Sequence, residues 1–204
     1  MTNWTTRAAF VLACAAGCGG SSAIHLDETW RQTAPDYRDA TERWTRRTTM
    51  SSEYQESLDI AAVLKSPEWR LAHAARSAEY RGLTGPAREA ALAQAKADMA
   101  GPYEFELLVT TWDRRENDLD RGKRSVWRVV LVDDADREVE PLEIIKDKRA
   151  PYVLRADFPA FGDFATAYIA RFPRSAAVLG TAVRAVRLRM SSARGGVELK
   201  WATR

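Results

Sequence analysis

The sequence predicts an α+β protein in which a helical region, residues 35–101, precedes an antiparallel β-sandwich, residues 102–204. Three observations lead to this fold class. Apolar residues follow a helical period before Gly101-Pro102 and a period of two after it. About seven short apolar runs follow Pro102, with turn residues between them. Their alternation predicts one buried and one solvated face, and their number fits an immunoglobulin-like or related sandwich.

Two helical patterns open the helical region. The first follows Pro35-Asp36 and places three residues on one face: Tyr37, Thr41 and Trp44. The second has its apolar or aromatic residues at similar spacing: Tyr54, Leu58, Ala61 and Leu64. Thr48-Thr49 lies between the two patterns and only weakens a helix, so one continuous helix and two separate helices are both open.

Capping residues predict two further helices. Ser66 is a favourable N-cap, and Pro67 stands where a helix needs no amide donor, so a helix runs to about Arg81 and is ended by Gly82. Gly85-Pro86 begins another helix, which is rich in alanine. Gly101-Pro102 ends it.

The strands of the sandwich are predicted from alternating apolar residues. The runs are residues 103–109, 125–132, 139–145, 152–158, 164–172, 186–190 and 197–201. Pro141 favours an edge position for the third run, because proline has no amide donor for the ladder. The last hairpin turns either at Gly195-Gly196 or through a longer loop from Ser191, and both registers keep the apolar faces together.

The N-terminus has the layout of an export signal. Arg7 precedes a short apolar run that ends in small residues just before Cys18. The run covers only about ten residues, whereas a membrane-spanning helix needs about 20. An ordinary secretory signal and a cytoplasmic protein with an apolar N-terminus are the alternatives.

The segment Ala15-Ala16-Gly17-Cys18 resembles the lipidation motif of bacterial lipoproteins, which usually has Leu where this chain has Ala15. Val11-Leu12-Ala13-Cys14 is a second candidate, but Leu12 is large for its place. Cys18 is the better anchor, because Gly19-Gly20-Ser21-Ser22 after it suits an extended tether.

The resemblance implies a division of the N-terminus and a location. Residues 1–17 are the signal peptide, Cys18 is the lipid attachment site, and residues 18–34 are the anchor and tether. Gly19, where inner-membrane lipoproteins tend to have Asp, implies the outer membrane, and which of its sides the domain faces is open. The membrane is then one partner of the protein, through the N-terminal lipid.

Charge is distributed unevenly along the chain. Residues 18–147 contain 19 Lys and Arg against 25 Asp and Glu, a net of −6, and residues 148–204 contain 11 against 3, a net of +8. The outward face of the last strands therefore offers a candidate site for an envelope protein or anionic polymer. Its arginines are Arg171, Arg174, Arg184, Arg187, Arg189 and Arg194. The alternative is that they pair internally with the acidic segment. Nucleic acid is not expected as a partner, because no stacking motif accompanies the arginines.

The sequence favours no catalytic or metal chemistry. The chain has two histidines, and no HExxH, CxxC, G-x-S-x-G or phosphate-binding glycine motif is present. His73 is expected to be a packing residue, and a carboxylate beside it would favour an enzyme. We expect no cofactor and no metal. The favoured function is a non-catalytic binding or structural module, and the alternative is a carrier or sensor of an apolar ligand held between helices and sheet.

Overall fold

A computed structural model describes residue 24 and residues 36–52, 55–174 and 182–202. The signal peptide, Cys18 and most of the tether lie outside the described residues. The fold is α+β, as predicted, and its strands form two antiparallel sheets. The helices are α1 (Tyr37–Trp44), α2 (Pro67–Tyr80), α3 (Gly85–Ala97) and α4 (Pro151–Asp157). The strands are β1 (Thr45–Ser52), β2 (Gln55–Leu64), β3 (Tyr103–Thr111), β4 (Arg128–Val132), β5 (Glu138–Val139), β6 (Glu143–Lys146), β7 (Thr166–Phe172), β8 (Ala185–Ser192) and β9 (Gly195–Ala202).

The two sheets contribute side chains to one hydrophobic core. The larger sheet has the order β1-β2-β3-β7-β6 and the smaller one β5-β4-β8-β9. Phe105 of β3 contacts Trp201 of β9 with ring centroids 5.3 Å apart, and it contacts Phe172 of β7 edge-on at 5.7 Å. Trp127 and Trp201 are both buried in the core.

The capping residues define α2 as the sequence predicted. The Ser66 hydroxyl accepts a hydrogen bond from the Trp69 amide, and Pro67 occupies the first turn. Arg81 is the C-cap, and Gly82 follows with φ of +63°, a conformation that glycine adopts without strain. The predicted helix from Gly85 is α3, and a 3-10 turn, Asp98–Ala100, ends it before Gly101.

The predicted second helix, with Tyr54, Leu58, Ala61 and Leu64 on one face, is wrong: β1 and β2 form a hairpin here. The segment Ile60-Ala61-Ala62-Val63-Leu64 is buried at every position. A continuous apolar run is typical of a strand that is covered on both faces, and a helical face cannot be read from it. Pairing of β2 with β3, as at Ala61 opposite Leu108, decides the conformation.

The predicted strand 152–158 is also wrong, because α4 occupies this segment. Pro151 stands at its first position, where the missing amide donor costs nothing. Leu154 and Phe158 lie four residues apart and are both buried, whereas Tyr152 is exposed. One helical face thus packs inward, and the apparent run of apolar residues is amphipathic.

Turns and edges complete the sheets. The predicted run 139–145 is not one strand: β5 and β6 lie on either side of Pro141, each at the edge of a different sheet. The last hairpin turns at Ala193-Arg194, because Ser192 pairs with Gly195. Neither predicted turn matches this register. No helix among the described residues has the length and apolar character to span a membrane.

Alternation predicted a solvated outer face for β3, and this expectation is wrong. Glu106 is fully buried, and Leu108 on the same face is 3% exposed. Arg70 of α2 and Arg149, just before α4, reach the carboxylates of this face. The helical elements therefore cover β3, and its outer charges pair with theirs.

Candidate functional site

A cleft lies where β2, β3, β6 and β7 meet the loop before β7. Its volume is about 760 Å³. Two large aromatic side chains line it, Trp112 just after β3 and Phe164 before β7, and each is 70% exposed. Sites for small molecules have volumes of about 300–1,000 Å³, so this cleft is large enough for a ligand.

Hydrogen bonding between β2 and β3 positions Trp112, one of the two aromatic residues that line the cleft. The Trp112 amide donates to the Ser57 carbonyl at 3.3 Å, one residue beyond β3. The Thr111 hydroxyl donates to the Asp113 carbonyl, and a 3-10 turn, Arg114–Glu116, follows. This turn places the Arg114 guanidinium over the ring of Phe164, at 5.7 Å from its centroid.

A hydrogen-bonded asparagine fixes the floor of the cleft. Asn117 donates from Nδ2 to the Val109 carbonyl at 2.8 Å, and its Oδ1 accepts from the Tyr168 hydroxyl at 2.8 Å. Burial raises the pKa of Tyr168, so its hydroxyl stays protonated and remains a donor at neutral pH. These groups are satisfied within the protein, and the floor is therefore rigid.

Each acid on the wall of the cleft has a basic partner. Asp59 accepts two hydrogen bonds from Arg47, at 3.0 and 2.5 Å, and Asp163 accepts one from Arg155 at 2.5 Å. Lys146 lies 3.4 Å from Asp120. The lining itself contains two acidic and two basic side chains: Asp59, Asp163, Arg114 and Lys146. Its formal charge is thus balanced.

A second cluster lies under the helices on the outer face of β3. Lys65 Nζ is 2.9 Å from Glu106 Oε2 and 3.2 Å from Glu104 Oε1, and Arg149 approaches Glu106 at 3.5 Å. Within the described residues, neither Glu106 oxygen has a partner in hydrogen-bond geometry. Val63 and Ile169 flank Glu106 across the sheet.

Burial raises the pKa of Glu106 to about 7, against the opposing charges of Lys65 and Arg149. Glu104 behaves differently although it is only two residues away. Burial would raise its pKa too, but Lys65 and Arg70 outweigh that effect and lower it. One strand thus carries one carboxyl that titrates near neutrality and one that stays ionised.

Asp157, at the end of α4, joins this cluster to His73. Its carboxylate lies 3.4 Å from His73 Nε2 and accepts hydrogen bonds from Arg149 at 2.7 Å and Arg76 at 3.4 Å. Burial would raise the pKa of Asp157, but these three basic groups lower it. His73 stacks on Trp69 with centroids 4.9 Å apart, in agreement with the packing role expected of it.

The Asp157–His73 pair meets one requirement of an acid–base site. A base of this kind must also contact the group that it deprotonates. Within the described residues, no hydroxyl or thiol group is hydrogen-bonded to His73. In the part of the chain that the structure describes, the pair therefore has no protein nucleophile as a partner.

The predicted arginine site is divided between the two sheets. Arg187 and Arg189 are neighbours on one side of β8, and both lie within 4 Å of Glu198. Arg171 belongs to β7 of the other sheet and pairs with Glu143. The structure brings together only the two β8 residues, and it gives both of them acidic partners.

The other three predicted arginines have contacts of their own. Arg194, in the last turn, pairs with Glu116 at 2.5 Å, and Arg174 donates to the Met99 carbonyl at 2.5 Å. The Arg184 amide donates to Asp134 at 2.6 Å. Of these three contacts, only that of Arg194 is an ion pair of the kind that the sequence left as an alternative.

The sequence predicted no functional role for Glu106, Asp157, Trp112 or Phe164. Leu108 is the sequence feature that indicates the burial of Glu106, because an apolar residue on the polar face of β3 indicates that this face is covered. No comparable signal marks the cleft, since Trp112 and Phe164 are 52 positions apart and meet only in the fold.

No cluster of three or more potential metal-binding side chains occurs in the described residues. Comparisons with protein-family profiles, curated proteins and solved structures found no match for this chain.

Proposed function

We propose that this protein is an exported lipoprotein, held to the outer membrane through Cys18, that works as a non-catalytic binding module. The order of Arg7, the apolar run and the small residues before Cys18 supports the anchor. Cys18 lies outside the described residues, so this part of the proposal depends on the sequence alone.

The cleft beside Trp112 and Phe164 supports the binding role. Burial of a large aromatic side chain is favourable, by about 25 cal/mol for each Å² of apolar surface that leaves water. Two such residues, each 70% exposed on the walls of one cleft, form a surface that a partner can cover. This shared location is the observation on which the binding role depends.

The same cleft argues against a carrier of apolar ligands. Such a carrier needs a cavity whose walls are mainly apolar. Charged side chains line this cleft. Two smaller cavities among the described residues, of about 530 and 300 Å³, are also lined partly by charged residues. A polar envelope component therefore fits the chain better than a fatty or hydrophobic molecule.

We propose further that the two sheets form a β-sandwich. The contact between Phe105 and Trp201 supports face-to-face packing of the sheets. An immunoglobulin-like strand order stays a prediction.

Site-specific crosslinking in envelope membranes tests the binding role. A photoreactive amino acid replaces Phe164 in the full chain, and in the control it replaces Tyr152, which is 76% exposed and outside the cleft. We expect an envelope component to be captured from position 164 and not from position 152. Equal capture at both positions, or none at position 164, contradicts the proposal.

A further inference from the structure

The chemistry of the cleft wall points to the class of ligand that it binds. Building on the binding role proposed above, we infer that the cleft binds an uncharged sugar chain, with pyranose rings stacked on Trp112 and Phe164.

The exposed rings suit a ligand with flat, weakly polar faces. An aromatic face carries partial negative charge, and it attracts the slightly positive C–H groups on one face of a pyranose. Trp112 and Phe164 stand on different elements that line the same cleft, so a chain of sugars can contact both. The Arg114 guanidinium, 5.7 Å from the centroid of Phe164, helps hold that ring in place.

Polar side chains that line the same cleft suit the hydroxyl-rich edge of a sugar. Thr110, Thr166, Asp59 and Asp163 line the cleft. The two carboxylates are already oriented by arginines, and each oxygen still has a lone pair that can accept a sugar hydroxyl. Threonine hydroxyls can both donate and accept.

The charge of the lining disfavours the other ligand classes. Asp59 and Asp163 are neutralised by Arg47 and Arg155, and Lys146 by Asp120, so the lining has no cluster of unpaired basic groups for a phosphorylated or sulfated polymer. An acyl chain would leave the charged groups of the lining without water, which is costly. A ligand with apolar faces and uncharged polar edges needs no such cluster and avoids this cost.

Calorimetric titration of the full chain tests this inference, in a zwitterionic detergent without a sugar headgroup. The probes are chitohexaose, cellohexaose and maltohexaose, and dextran sulfate is the anionic comparison. We expect at least one of the three hexasaccharides to bind, and both Trp112→Ala and Phe164→Ala to weaken that binding at least about tenfold. Tyr152→Ala, an equally exposed aromatic outside the cleft, should leave it unchanged.

The outcomes separate this inference from the binding role. If no hexasaccharide binds up to about 10 mM while crosslinking from position 164 persists, the sugar ligand is wrong and the binding role stands. If both fail, both proposals are wrong. Binding of dextran sulfate that Arg114→Ala abolishes, or saccharide binding that Trp112→Ala and Phe164→Ala leave intact, also overturns the sugar ligand.

Discussion

The indole of Trp201, on the last strand, donates a hydrogen bond of 2.9 Å to the backbone carbonyl of Trp44, 157 positions earlier. Next to it, Arg46 Nε donates to the Lys200 carbonyl at 2.9 Å. These contacts join β9 of the smaller sheet to the junction of α1 and β1 in the larger one. Side chains, rather than a strand ladder, therefore connect the two sheets at this edge.

Trp201→Phe should lower the free energy of unfolding by about 1–3 kcal/mol, because it leaves the Trp44 carbonyl without this donor. Trp201→Ala should cost about 3–5 kcal/mol, since it also empties a site that is fully buried. Urea unfolding followed by circular dichroism measures both. Trp112→Ala, at an exposed tryptophan, is the matched control and should change stability by less than about 0.5 kcal/mol. A loss for Trp201→Phe that equals the control contradicts the role given to the hydrogen bond.

Glu106→Gln should change how stability depends on pH. The pKa of Glu106 rises from 4.5 to about 7 on folding, so the folded state binds more protons between these values and loses stability as pH rises through them. Glutamine cannot ionise and avoids this loss. The free energy of unfolding of the variant should therefore increase relative to that of the wild type between pH 4.5 and pH 8, by at most about 3 kcal/mol. Unfolding at a series of pH values gives the difference.

Glu104→Gln is the matched control for Glu106→Gln on the same strand. The pKa of Glu104 lies below its ordinary 4.5, so its stabilising effect is present above that pH and is lost as pH falls. This variant should be less stable than the wild type at neutral pH and approach it in acid. Parallel pH profiles for the two variants would contradict the different surroundings described for these carboxyls.

Asp157→Asn should destabilise the protein at neutral pH by about 1–3 kcal/mol, because it removes the charge that Arg76, Arg149 and His73 share. The pKa of Asp157 is below its ordinary 3.8, so the stabilisation is lost as pH falls below that value. The difference from the wild type should therefore shrink below about pH 4. Asp163→Asn, at an exposed ion pair, should cost less than about 1 kcal/mol, and equal losses contradict the prediction.

Cys18→Ser should release the protein from the membrane fraction, because the lipid anchor requires the Cys18 sulfur. Cell fractionation and intact-mass analysis measure the outcome. We expect the wild type to have lost residues 1–17 and to carry added lipid mass. Cys14→Ser, at the second candidate cysteine, is the control and should leave the protein in the membrane. An unmodified full-length wild-type chain contradicts the anchor.

The sequence predicted some elements and missed others for definable reasons. Ser66, Pro67 and Gly82 act within a few residues of the helix ends that they define, so α2 was predicted correctly. The run from Ile60 to Leu64 is apolar at every position, and such a run carries no period that separates strand from helix. Its strand conformation comes from pairing with β3, about 45 positions away.

Local patterns in the sequence predicted the α+β class, the capped helices, and the strands whose apolar residues alternate from Ala185 to Ala202. These depend on hydrogen bonds and side-chain periods that neighbouring residues specify. Tertiary structure alone decided that Glu106 is buried beneath helices, that Asp157 meets His73, and that Trp112 shares a cleft with Phe164. Each of these relationships joins residues far apart in the chain, and sheet register and helix packing bring them together.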